Sequence, residues 1–147
     1  MSKILMLDID GVLNSHKSQE HPSSASGMVI DRHAIQYLNT VLEYDPEISI
    51  VISSSWIKKL SLLEFSEILE KEYHLIPGRI VDVLSSGMKK DKAIRKWVED
   101  NKPTALCVLD DEWIFDLNDP IQSHFVKLSA HEGLQDKHLD VIVSLLS

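Results

Sequence analysis

The chain predicts an α/β fold with one parallel sheet held between layers of helix, and two observations carry that prediction. Short apolar runs of strand length alternate with segments whose apolar residues recur at helical spacing, the pattern of sheets built from strand–helix–strand units. The first and fourth of those runs each end abruptly in acids, Asp8 with Asp10 and Asp110 with Asp111. In open α/β sheets ligands bind at the carboxyl ends of the strands, which is where these acids would stand.

The elements follow in order. Lys3–Leu7 is too short to span a membrane and has the length of a fully buried strand; Glu47–Ile52, Arg79–Leu84, Thr104–Leu109 and His124–Leu128 repeat the pattern. Asp31 can cap a first helix whose Ile35, Leu38, Val41 and Leu42 share one face. Ser61 with Glu64 makes a capping box for a second, which carries Phe65, Ile68 and Leu69. Asp91 can cap a third, with Ile94, Trp97 and Val98 turned to the core. A last helix from about Gln135 presents Leu139, Ile142, Leu145 and Leu146. Together these make a Rossmann-like three-layer sandwich.

Two segments stand outside the alternation. Residues 15–27, polar and serine-rich from His16 to Gly27, read as a loop directly after the first acidic pair, placed either to cover the site as a flap or to serve as a surface linker. Asp116–Ser123, with Asn118-Asp119-Pro120, reads as a turn.

Composition narrows the class of function. At 147 residues the chain is expected to form one domain, 1–147, and its 44% hydrophobic and 26% charged content is ordinary for a globular protein. A formal net charge of −8 argues against broad binding to naked nucleic acid, which asks for a basic face. The single cysteine, Cys107, lies inside an apolar run and reads as a small core residue in a reducing compartment. Met1-Ser2-Lys3 leads straight into the first strand without a signal-peptide pattern, so a cytoplasmic location, with no membrane partner, is the expectation. The seven histidines show no paired ligand spacing, which argues against zinc; His16 and His21 lie in the candidate flap.

The chemistry sits at four strand ends. Two carboxylates at the edge of a buried strand are costly unless a partner or a metal neutralises them, and Gly11 lets the backbone turn sharply behind them. A calcium loop of the EF-hand kind is excluded, since Val12 and Leu13 hold the fifth and sixth places, where an oxygen ligand and a glycine are required. The second strand ends in Ser53-Ser54-Ser55-Trp56, whose hydroxyls and N–H groups at a strand-to-helix junction suit a phosphate, although one serine could act merely as a cap. Lys89 and Lys90 precede the third helix, where a cation opposes the helix dipole unless it is aimed at acids nearby. Asp110-Asp111 repeats the logic of Asp8 and Asp10, and two acidic strand ends in one parallel sheet suit Mg2+, which takes carboxylate, water and phosphate oxygens. Trp113, just beyond them, is expected to pack into the core.

In this order, Asp8-Ile9-Asp10-Gly11-Val12-Leu13-Asn14, the serine after strand two, the lysine before a helix and Asp110-Asp111 resemble the four motifs of the haloacid dehalogenase (HAD) superfamily, over nearly the whole chain. Ser-Ser-Trp after strand two, the spacing from Lys90 through Ile94 to Trp97, and Gly133-Leu134 look like the small HAD domains associated with RNA-repair proteins. The resemblance implies a Mg2+-dependent phosphatase. Asp8 would be the nucleophile that becomes an aspartyl-phosphate and Asp10 the general acid and base. Ser54, with Ser53 as the alternative and Ser55 beside them, would bind the phosphate, and Lys90, or else Lys89, would stabilise its charge. Asp8, Asp110, Asp111 and the backbone carbonyl of Asp10 would hold the metal. Val12 stands where many members carry threonine, a change expected to touch packing more than chemistry. The stretches between motifs are too short for an inserted domain, so the cap is minimal and the site open. The expected partner is a phosphorylated substrate, a small molecule or a nucleic-acid end, and no feature signals an obligate protein partner. A nucleic-acid end-processing phosphatase and a non-catalytic phosphate-binding module remain the alternatives.

Overall fold

The computed structural model describes residues 3–16 and 27–147. Nearly all of the candidate flap, His21 included, therefore lies outside the described residues. Five strands, β1 (Lys3–Leu7), β2 (Ile48–Ile52), β3 (Ile80–Val83), β4 (Ala105–Asp110) and β5 (Phe125–Lys127), form one sheet in the order β3-β2-β1-β4-β5. Every neighbouring pair is parallel. The helices are α1 (Arg32–Tyr44), α2 (Leu62–Ser66), α3 (Lys90–Asn101) and α4 (Leu139–Leu145).

Side-chain alternation along the strands divides the core into two layers. Leu5 and Leu7 of β1, Ile50 and Ile52 of β2, and Cys107 and Leu109 of β4 join the cluster that holds Leu38 and Leu42 of α1, Phe65 of α2 and Ile142 of α4. Ile4 and Met6, Val51, Leu106 and Val108 face the other way, into a cluster with Ala93 and Ile94 of α3 and with Phe115. The expected three-layer sandwich is thus present, and Cys107 is a buried core thiol whose pKa burial pushes up to about 12. Among the described residues no helix is long and apolar enough to cross a membrane.

Two of the local capping signals are realised. Asp31 caps α1 by accepting from the His33 N–H at 2.8 Å, and Ser61 and Glu64 form the reciprocal capping box of α2. α2 runs on into a π-helical stretch over Glu67–Glu72. The guanidinium of Arg79 closes the far end of α1, donating to Leu42 O at 2.9 Å, Ile48 O at 2.9 Å and Asp45 O at 3.2 Å.

Three expectations are corrected. Asp91 does not cap α3: Lys89 occupies the N-cap without a side-chain bond, and Asp91 lies in the first turn. The segment Asp116–Ser123 is not only a turn, since Pro120–His124 forms a 3-10 helix capped by Asp119, which Arg95 also pairs. Trp113 is 67% exposed rather than buried, because its ring packs on β5 at the edge of the sheet, edge-on to Phe125 and under the Lys127 ammonium. The last helix opens as a 3-10 turn over Asp136–His138 before α4 proper.

Candidate active site

The strand order places a topological switch at the sheet's middle. From β1 the chain moves outward through β2 to β3, then returns to build β4 and β5 on the other side, which opens a crevice at the carboxyl ends of β1 and β4. Leu7 of β1 pairs with Leu109 of β4, so Asp8 and Asp110 emerge side by side. Asp8 continues the even-numbered side of β1 and Asp110 that of β4, the side covered by α3, and α3 begins at Lys90. The meeting of these three residues follows from register and alternation.

Lys90 Nζ lies 2.8 Å from Asp110 Oδ2 and 3.6 Å from Asp8 Oδ1. Asp8 Oδ1 also accepts from the Ile9 N–H at 2.8 Å, and Asp110 Oδ1 from the Glu112 N–H at 3.0 Å. Asp111 completes the group: one carboxylate oxygen from each of Asp8, Asp110 and Asp111 lies within 4.8 Å of the others. Asp8 is 6% exposed and Asp110 1%.

Two buried carboxylates, Asp8 and Asp110, therefore share one ammonium, with the half-buried Asp111 beside them. Burial and then the Asp110 charge push Asp8 up to about 8, against the pull of Lys90 and the Ile9 N–H. Asp111 is raised by burial and by Asp110. Burial works against the Lys90 charge, but Asp8 and Asp110 outweigh it and hold the lysine firmly protonated. The excess negative charge is what a hard divalent cation neutralises, and an all-oxygen donor set of this kind suits Mg2+.

The serines divide their tasks. Ser53 and Ser54 are both buried. The Ser53 N–H donates to Leu7 O at 2.9 Å, which ties the exit of β2 to β1, while the Ser53 hydroxyl has no hydrogen-bond partner among the described residues. Ser54 caps a 3-10 turn over Ser55–Lys58, its Oγ accepting from the Trp56 N–H at 3.2 Å. Ser55 is exposed at the start of that turn. A recess of about 160 Å³ opens beside them, lined by Ser53, Ser54, Leu84, Ser85, Met88 and Lys90 among others.

Asp10 stands apart from the three clustered acids and faces solvent. Its Oδ1 accepts from Asn14 Nδ2 at 3.0 Å and its Oδ2 from Trp56 Nε1 at 3.0 Å. Sequence reasoning gave neither donor this task. Asn14 lies close enough in the chain for its amide to be suspected, but Trp56 is 46 residues from Asp10 and only the fold pairs them. Gly133 was also under-read: at φ +68° it lies so near the exit of β1 that a Cβ would sit 2.7 Å from Asn14 O. Of the remaining candidates, Lys89 is exposed, and His16 is exposed with its ring 4.6 Å from that of His131.

Comparison with known proteins agrees with this geometry. The family model described as the HAD domain in Swiss Army Knife RNA repair proteins matches residues 4–139. Among solved structures, the HAD domain of effector protein Lem4 from Legionella pneumophila superposes with a TM-score of 0.60 at 13% identity, covering 99% of this chain and 96% of that one. An inactive mutant of the same domain gives a TM-score of 0.62 at 14% identity, covering 100% and 95%. At such identities the likeness is one of fold. No curated protein matches the chain.

Proposed function

The chain belongs to the family of HAD domains in Swiss Army Knife RNA repair proteins, and from that membership we propose that it is a Mg2+-dependent phosphomonoester hydrolase acting through an aspartyl-phosphate. One observation carries the reading: carboxylates from two separate strand ends, Asp8 and the Asp110-Asp111 pair, converge within 4.8 Å beside Lys90. A carboxylate attacking a phosphate dianion meets like-charge repulsion, and this site adds further acids, so positive charge is required. Asp8, Asp110 and Asp111 would hold the Mg2+, which when bound supplies charge against the phosphate oxygens.

The protein's own groups then have distinct parts. A carboxylate oxygen of Asp8 forms a bond to phosphorus as the ester P–O bond breaks, and Asp10 gives a proton to the departing oxygen. Asp10 next takes a proton from water, the water oxygen bonds to phosphorus, and the P–O bond to Asp8 breaks to free inorganic phosphate. Lys90 offsets charge on Asp8 and on the transferring group. We assign the phosphate-binding hydroxyl to Ser53 in preference to Ser54, because the buried Ser53 hydroxyl has no hydrogen-bond partner among the described residues and so calls for one, whereas Ser54 Oγ is already oriented as a cap by accepting from the Trp56 N–H.

The test is hydrolysis of p-nitrophenyl phosphate with Mg2+. Turnover should stop in EDTA and fall to background in Asp8→Asn; activity persisting in Asp8→Asn would remove Asp8 as nucleophile. A second reading, phosphate removal from a nucleic-acid end, is favoured by the family's RNA-repair description and opposed by the net charge of −8. Faster release from 3′- or 5′-phosphorylated oligoribonucleotides than from sugar phosphates would establish it.

A further inference from the structure

We infer that Trp56 is a positioning residue for Asp10, and that Ser54 acts through it; the inference rests on the acid/base role proposed above. Asp10 lies beyond β1, next to Gly11 at φ +81°, and its side chain faces solvent. A carboxylate so placed would sample several rotamers, whereas proton transfer requires it within about 3 Å of the reacting oxygen.

Two donors grip it, one on each oxygen. Asn14 Nδ2 donates to Oδ1 at 3.0 Å and Trp56 Nε1 to Oδ2 at 3.0 Å. Asn14 is itself buried and committed: its Oδ1 accepts from the Gly11 N–H at 2.9 Å, and Nδ2 also donates to Val29 O at 2.8 Å. Trp56 is half-buried against the core, its backbone N–H donates to Ser54 Oγ at 3.2 Å, and the Lys59 ammonium lies 5.5 Å from its ring centroid.

An indole N–H only donates, so it holds the carboxylate without competing for the proton that Asp10 transfers. Each carboxylate oxygen keeps a further lone pair for the reacting partner. The large, stiff ring also bridges two strand exits: β2, which carries Ser53, and β1, which carries Asp8 and Asp10. With Ser54 Oγ holding the Trp56 backbone and the indole holding Asp10, the exit of β2 next to Ser53 and the proton donor keep one fixed relation.

Two measurements test this. In 15N–1H spectra of the wild type, assigned through backbone connectivity, the Trp56 indole signal should lie downfield of a free indole and move on Asp10→Ala. A Trp56 indole signal at the free position, unmoved by Asp10→Ala, overturns the inference. In single turnover, Trp56→Phe should slow phosphoenzyme formation about ten- to a hundredfold with an alkyl phosphate, whose leaving oxygen needs a proton. With p-nitrophenyl phosphate the loss should be under about threefold and KM should change less than about twofold, because that leaving group departs without a proton. Equal losses on both substrates, or a loss confined to KM, overturn the inference. A wild type inactive on both phosphates would defeat the hydrolase reading instead, and the indole signal would then decide the contact by itself.

Discussion

Lys90 sits 2.8 Å from one buried acid and 3.6 Å from another, and no neighbour in sequence shares its position. Lys89, one residue earlier, is exposed at the N-cap. The two could not be separated from the sequence, because a step of one residue at a helix start rotates the side chain by about 100°. Lys90→Met should lower kcat/KM for a phosphate monoester about 10²- to 10³-fold, the size expected when a charge aimed at the reacting group is lost. Lys89→Ala should cost far less; steady-state kinetics on both variants check the assignment. The serines show the same limit. Three consecutive hydroxyls were visible as a phosphate-binding signal, but only their bonding distinguishes Ser53, whose hydroxyl has no partner among the described residues, from the equally buried Ser54, which caps a turn.

The exit of β1 is shaped by a distant loop. Leu134 N donates to Val12 O at 2.7 Å, His16 N to Ala130 O at 3.1 Å, and Gly133 passes so close that only hydrogen fits in place of a Cβ. Gly133→Ala should destabilise by about 1–3 kcal/mol, since it adds both a left-handed alanine and a backbone clash; urea denaturation measures it. Because the displaced atoms belong to Asn14, which holds Asp10, kcat should fall with the stability. Glycine at that position was noticed in the sequence, yet its reason is a contact with residues more than a hundred positions away. By contrast the caps at Asp31 and Ser61 were legible, as their bonds close within three residues. The misplaced cap at Asp91 has a related cause: acids favour both N-caps and first turns, and composition does not separate the two.

Across the molecule, the order β3-β2-β1-β4-β5 makes β1 and β4 neighbours, and so converts two acidic strand ends into one cluster. That cluster sets a pH dependence. Asp8 has a folded-state pKa raised to about 8 from 3.8, so the stability linked to its proton is full below pH 3.8 and is lost as pH rises through about 8. Asp111 is shifted in the same direction. As pH rises through about 8 the metal-free protein therefore takes on the repulsion, and a bound cation relieves it; at pH 5 the proton on Asp8 already does so. The gain in Tm from millimolar Mg2+ over EDTA should be larger at pH 8 than at pH 5. Taking the difference at each pH cancels the surface carboxylates. An equal gain at both, or none, in differential scanning fluorimetry would contradict the cluster's charge balance.

Strand and helix placement, the parallel class and the two acidic strand ends, Asp8 and Asp110-Asp111, were readable from residue order, since periodicity and acids at strand ends are local properties of a chain. Register and strand order were not, and they decide which acids meet, which lysine faces them and which serine keeps a free hydroxyl. The grip of Trp56 on Asp10 belongs wholly to the folded state: a hydrogen bond across 46 residues exists only once two strands lie side by side and bring their exits within reach.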